Sequence, residues 1–116
     1  IKDNHIVAAG GIKSAIAGAK KTIPHTLKVE VEVKMLDQIS EALEAGADII
    51  LLDNMTNTDM KIATARISGK ALTEASGGIT LDRVAGVAET GVDYISVGAL
   101  THSALPLDIS LDLEIL

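Results

Sequence analysis

Asp37-Gln-Ile-Ser-Glu-Ala-Leu-Glu-Ala-Gly-Ala-Asp-Ile-Ile-Leu-Leu-Asp53 aligns without a gap on Asp82-Arg-Val-Ala-Gly-Val-Ala-Glu-Thr-Gly-Val-Asp-Tyr-Ile-Ser-Val-Gly98, at an offset of 45 residues (82 − 37). Each copy reads as a helix, a Gly-x-Asp turn and a short apolar strand. In the first copy and its lead-in, Leu36, Ile39, Ala42 and Leu43 recur at helical spacing, and Gly46 provides the left-handed stop that ends many helices. The run from Asp48 to Asp53 is then almost unbroken in its apolar character, as expected of a buried parallel strand. In the second copy, Asp82 to Thr90 reads as a helix ended by Gly91, and Asp93 to Val97 as a strand.

Outward from the repeat, the alternation of helix and strand continues. Thr58 to Ile67 reads as a helix ended by Gly69, and Lys70 to Thr73 lead as strand into Glu74-Ala-Ser-Gly-Gly-Ile-Thr-Leu-Asp82. Upstream, Leu27 to Val33 alternates strictly, with Val29, Val31 and Val33 on one face and Lys28, Glu30 and Glu32 on the other. Ile12, Ala15, Ile16 and Ala19 mark an earlier helix, broken by Pro24-His25, and Ala8 to Gly11 reads as a turn. Ile1 to Ile6 reads as a strand end carrying the polar tip Lys2-Asp-Asn-His5. The tail from Leu107 to Leu113 alternates apolar and polar residues, and suits either a closing segment or the start of a helix.

About five strands alternating with helices at this period predict an α/β fold: the C-terminal part of a (β/α) TIM-like barrel with parallel strands, incomplete in this chain. A doubly wound open sheet is the alternative. With so few strands the barrel cannot close, and long edges stay unpaired.

In such barrels the functional residues gather on the loops that follow the strands. Glu32, Asp53, Ser76 and Gly98 are successive strand ends, 21, 23 and 22 residues apart. The rim therefore carries Lys2 with His5, Glu32, Asp53 with Asn54, Ser76-Gly77-Gly78, and Gly98 with His102. Adjacent glycines admit a ligand to the backbone where a Cβ would block it. The helix start that follows supplies unpaired N–H groups, so this turn suits a phosphate. Glu32 and Asp53 suit either a hard divalent cation with its waters or sugar hydroxyls. Lys2 can neutralise a further anion as a point charge. The expected ligand is a phosphorylated sugar with extra negative charge, bridged by Mg²⁺. Blander readings stand beside these: Asp53 as a helix cap, Glu32 as an exposed strand carboxylate, His5 and His102 as loop hydrogen-bonders, Ser-Gly-Gly as a plain turn. His25 is assigned no role.

Composition narrows the class further. The chain has 116 residues, enough for one domain. Hydrophobic content is 47% with Tyr94 the lone aromatic, so the core must be aliphatic. A net charge of −6 argues against an extended nucleic-acid surface, though not against a small anion held by local donors. Cysteine is absent, so neither a disulfide framework nor a thiolate metal site is available. No apolar run approaches the roughly 18 residues of a membrane span, and no signal peptide is visible. The chain opens on Ile1-Lys-Asp-Asn-His5 without an initiator Met, and a segment of a longer polypeptide is expected.

KDNH at 2–5, VEVEV at 29–33, LLDNM at 51–55, EASGGI at 74–79 and TGVDYISVGALTHS at 90–103 together resemble the C-terminal barrel of the quinolinate phosphoribosyltransferases, the carboxylating nicotinate-nucleotide pyrophosphorylases. The similarity runs through essentially the whole chain. It implies an enzyme of de novo NAD biosynthesis that joins quinolinate to phosphoribosyl pyrophosphate, forming nicotinate mononucleotide, CO2 and pyrophosphate, with Mg²⁺ accompanying the pyrophosphate. It further implies that Lys2 contacts the anionic substrates near the reacting carbon. Glu32 and Asp53 would serve the ribose hydroxyls and the Mg²⁺–pyrophosphate region. Ser76, Gly77 and Gly98 would hold the 5′-phosphate, with Gly78 in the same loop and His102 beside it. A cytoplasmic homodimer or higher homo-oligomer is implied as well. Family members also carry an N-terminal domain and earlier barrel strands that supply the basic residues gripping quinolinate, so residues 1–116 alone are expected to lack turnover. Three other readings remain open: a non-catalytic phosphate-binding fragment, a molybdenum-transport-associated paralogue with another substrate, and another phosphate-binding barrel such as a sugar-phosphate isomerase or lyase.

Overall fold

Strands β1 (Glu30–Val33), β2 (Ile49–Asp53), β3 (Leu72–Ser76) and β4 (Tyr94–Ile95) form one parallel sheet in the order β1-β2-β3-β4 in the computed structural model, which describes residues 1–103 and 106–114. Helices α1 (Asp3–Ala9) and α2 (Ile12–Thr22) precede β1. Helices α3 (Gln38–Glu44), α4 (Asn57–Ile67) and α5 (Leu81–Ala88) make the three crossovers, and α6 (Ala99–His102) follows β4. A doubly wound sheet reverses its strand order at a switch point. This order never reverses, and right-handed crossovers then lay every connecting helix on the same face. The architecture is a segment of a (β/α) barrel wall.

Burial alternates along the strands as that geometry requires. Val31, Val33, Ile50, Leu52 and Ala75 are fully buried toward the helices, where they meet Ile16, Ile39, Met60, Ile67 and Val87. Each of these Val, Ile, Leu and Met side chains contributes about 1.5–3 kcal/mol when removed from water. Glu30, Glu32, Ile49, Leu51, Asp53, Leu72, Glu74 and Ser76 take the opposite, half-buried face, the interior side of a barrel.

The Gly-x-Asp turns of the repeat do the same work twice. Gly46 and Gly91 have φ of 78° and 84°. Asp48 Oδ2 accepts from the Val29 N–H at 2.8 Å, and Asp93 Oδ2 accepts from the Thr73 N–H at 2.7 Å. Both carboxylates thus pin the start of the neighbouring strand. Extending the β3–β4 register by one residue sets Ser96 level with Ser76 and Asp53, whereas the repeat pairs Asp53 with Gly98. The two-residue difference across two strands (98 − 96) is the one-residue stagger per strand of a barrel with eight strands and shear of about eight.

The N-terminus differs from the sequence expectation. The strand expected over 1–6 is reduced to Ile1, whose amino group donates to the Glu30 carbonyl at 2.6 Å and whose carbonyl accepts from the Glu32 N–H at 2.9 Å. The chain then turns into α1, so four strands rather than five form among the described residues. Lys2 is the N-cap position of α1, and Gly10 closes the helix with φ 79°. The tail over 106–114 adopts no regular element, with Leu107, Ile109, Leu111 and Leu113 exposed.

Candidate functional site

Ser76, Gly77, Gly78, Gly98 and His102 line one cleft of about 340 Å³, together with Ile79, Thr80, Ser96 and Ala99. β3 ends at Ser76, the two glycines turn with φ of 92° and 55°, and Thr80 begins α5. The N–H groups of Gly78, Ile79 and Gly98 donate no hydrogen bond among the described residues, although Ile79 is buried. Buried backbone donors are almost always paired, so these are open positions for an acceptor. His102 lies over Gly98, where a Cβ would stand 3.0 Å from His102 Nε2, and its Nδ1 meets the Ser103 hydroxyl at 2.8 Å.

Lys2 and Glu32 line a second cleft, of about 270 Å³, with Ile1, Glu30 and Leu51. Glu32 is not the exposed strand carboxylate of the bland reading, for its side chain is only 14% exposed. Asp53 stands on the strand between the two clefts, register-paired with Ser76. It does not cap α4: the Thr56 hydroxyl does so, accepting from the Asp59 N–H at 3.1 Å. Its Oδ1 instead accepts from Asn54 Nδ2 at 2.9 Å. Asn54 has φ 54°, and its N–H donates to the Ser76 carbonyl at 2.9 Å, tying the end of β2 to the end of β3. His5 has a local task, since its Nδ1 accepts from the Lys2 N–H at 2.9 Å at the start of α1. His25 lies away from both clefts, in a separate hollow with Lys20 and Asp48.

Several groups on this rim escaped the sequence reading. Lys34, just past β1, bonds Asp3 Oδ2 at 2.8 Å and lies 3.8 Å from Glu32 Oε1. The Lys34 hydrogen bond lowers the Asp3 pKa, and the same bond raises that of Lys34. Glu74 is level with Glu32 across the sheet and accepts from the Ser96 hydroxyl. Burial, and then the Glu74 charge, raise the pKa of Glu30 on the same face. Arg83 reaches the carbonyls of Met55 at 2.9 Å, Gly78 at 3.3 Å and Gly77 at 3.4 Å. Among the described residues no three His, Cys, Asp or Glu side chains converge as a metal cage, and no helix is long and apolar enough to cross a membrane.

A family model for the quinolinate phosphoribosyl transferase C-terminal domain matches residues 1–112. The probable nicotinate-nucleotide pyrophosphorylase (carboxylating) of Bacillus subtilis is 44% identical over 115 residues, covering 99% of this chain and 40% of that protein. The human nicotinate-nucleotide pyrophosphorylase (carboxylating) is also 44% identical, over 97% of this chain and 39% of its own length. Among solved structures, the nicotinate-nucleotide pyrophosphorylase of Ehrlichia chaffeensis superposes with a TM-score of 0.88 at 40% identity, over 98% of this chain and 41% of that one. The Francisella tularensis protein of the same name gives 0.83 at 48% identity, over 87% and 36%. The chain thus spans about two fifths of the length of the curated relatives it matches.

Proposed function

The chain belongs to the quinolinate phosphoribosyl transferase family, as its C-terminal domain, and from that premise we propose that it supplies the phosphosugar-binding part of a carboxylating nicotinate-nucleotide pyrophosphorylase. The reaction joins the ring nitrogen of quinolinate to the anomeric carbon of phosphoribosyl pyrophosphate. Pyrophosphate leaves and the 2-carboxyl departs as CO2, giving nicotinate mononucleotide. The observation that carries this reading is the cleft that gathers Ser76, Gly77, Gly78, Gly98 and His102 around unpaired N–H groups.

In this reading the 5′-phosphate accepts from the N–H groups of the Ser-Gly-Gly turn and of Gly98, which anchors the sugar. The anomeric carbon then develops positive charge as its bond to pyrophosphate stretches. Glu32 and Asp53, on adjacent strands of the interior face, stabilise that charge and hold the ribose hydroxyls. Lys2, exposed at the rim beside Glu32, offsets the anionic groups of the substrates. Once the ring nitrogen is cationic, its charge stabilises the electron pair that the departing CO2 leaves on C2, and a proton then bonds to that pair in place of the carboxyl. No protein nucleophile is needed.

Mg²⁺ ordinarily takes one or two protein carboxylates plus substrate phosphates and keeps several waters. Glu32 and Asp53 fit that pattern better than a closed cage, and among the described residues the rim holds no third converging carboxylate for one. Bound with pyrophosphate, the ion would neutralise charge on the leaving group. The reading extends to a cytoplasmic homodimer or larger homo-oligomer. The test is calorimetric titration of the full-length protein that contains residues 1–116 with phosphoribosyl pyrophosphate and Mg²⁺, followed by assay of CO2 release from carboxyl-labelled quinolinate. Saturable binding with release supports the reading. Binding without release leaves a non-catalytic phosphate-binding module, and no binding overturns it.

A further inference from the structure

We propose that Arg83 is the positioning residue of the phosphate cradle, holding the Ser-Gly-Gly turn in the shape that aims its N–H groups into the cleft. The inference rests on the cleft being an anion site, as in the function proposed above.

Arg83 sits in the first turn of α5, half-buried, directly behind the turn it follows in sequence. Its Nη2 donates to the Met55 carbonyl at 2.9 Å, in the loop after β2. Its Nη1 makes long bonds to the carbonyls of Gly78 at 3.3 Å and Gly77 at 3.4 Å, in the loop after β3. One rigid fork thus clamps two consecutive rim loops, a task for which a planar guanidinium is suited and a lysine is not.

Direction follows from peptide geometry. Among the described residues no peptide bond is cis, so each C=O and the N–H of the next residue point in opposite directions within their shared plane. With the Gly77 and Gly78 carbonyls turned toward Arg83, the N–H groups of Gly78 and Ile79 face away from it. Those N–H groups have no partner among the described residues, and both residues line the cleft. Two glycines in the left-handed region would otherwise sample many conformations. Arg83 removes that freedom before the ligand arrives, so less ordering has to occur on binding. Its charge also lies behind the cradle and favours an anion there.

The test compares wild type with Arg83→Ala and Arg83→Lys in the full-length protein that contains residues 1–116, by calorimetry with phosphoribosyl pyrophosphate, with inorganic phosphate alone, and with quinolinate. Arg83→Ala is expected to weaken both phosphate ligands about tenfold while leaving quinolinate affinity within twofold. Added guanidinium ion should restore part of the loss in Arg83→Ala, which general loosening of the fold would not allow. Arg83→Lys should fall between the two, and it decides the matter if the alanine variant does not fold. A folded Arg83→Ala protein that binds both phosphate ligands as wild type does overturns the proposal and leaves the function untouched. Wild type that binds inorganic phosphate but not the phosphoribosyl substrate sinks the functional reading, while the phosphate comparison still decides the role of Arg83. Wild type that binds neither overturns both.

Discussion

The carboxamide of Asn54 occupies the space that a Cβ on Gly77 would fill, its Nδ2 lying 2.7 Å from that position. The same carboxamide bonds Asp53 at 2.9 Å, and the Asn54 N–H bonds the Ser76 carbonyl. The carboxylate at the end of β2 and the turn at the end of β3 are therefore set by one side chain. A methyl at Gly77 must displace Asn54 and, with it, the constraint on Asp53.

Gly77 and Gly78 give a matched pair of substitutions. Both have positive φ, 92° and 55°, so alanine at either costs about 1–3 kcal/mol of backbone strain. A Cβ at Gly78, however, meets nothing closer than 3.9 Å. Thermal unfolding should therefore rank wild type above Gly78→Ala and Gly78→Ala above Gly77→Ala. Equal losses for the two variants would show that Asn54 moves aside without cost.

Asp93 gives the pH prediction. Its pKa is lowered, first by the Thr73 N–H and then by the Thr73 hydroxyl. A depressed carboxylate contributes stability that is present above its unfolded pKa of about 3.9 and is lost as pH falls through the lower folded value. The affected window is thus the acid limb below about pH 4. Asp93→Ala also leaves the N–H and hydroxyl of buried Thr73 without their acceptor. At neutral pH the loss should be about 1–2 kcal/mol, at the low end because Asp93 faces solvent. Urea titrations from pH 3 to 7 should show the variant with a flatter acid limb; parallel curves would remove Asp93 from the account.

Much of this was readable in the residues, and the omissions have physical causes. The Gly-x-Asp repeat stands out because strand and helix impose different apolar periods, and the turn between them needs a left-handed glycine. The strand ends that carry Glu32, Asp53 and Ser76 followed from it. Helix α1 did not, for its seven residues bury no side chain and so leave no apolar stripe to detect. Lys34 and Arg83 were invisible for another reason. Lys34 finds Asp3 from 31 residues away, and Arg83 finds Met55 from 28. Such pairings depend on which loops the sheet order brings together, and no local pattern encodes them.

Glu32 and Asp53 carry the catalytic prediction. Alanine at either position in the full-length enzyme should lower turnover by roughly a hundredfold, the usual effect of removing one preorganised charge from a reacting centre. Folding should survive, since both lie on the half-buried interior face outside the aliphatic core. Steady-state assays across a Mg²⁺ series make the check. Unchanged Mg²⁺-dependent turnover in both variants would falsify the role assigned to the pair.

Lys34 tests the same carboxylates from the opposite direction. Its ammonium stands 3.8 Å from Glu32 Oε1, and the charge of Asp53 also acts on it. A divalent cation approaching Glu32 must therefore work against a resident positive charge. Replacing Lys34 by Met keeps the length of the side chain and removes that charge. The Mg²⁺ concentration giving half-maximal turnover should then fall severalfold, with the maximal rate little altered. The Lys34 side chain is half exposed, so salt should screen its influence. The gap between variant and wild type should narrow as inert salt is raised toward about 1 M, where screening extends only some 3 Å. An unchanged or higher Mg²⁺ requirement in Lys34→Met would mean that the ion binds away from Glu32, leaving Asp53 as the carboxylate to pursue.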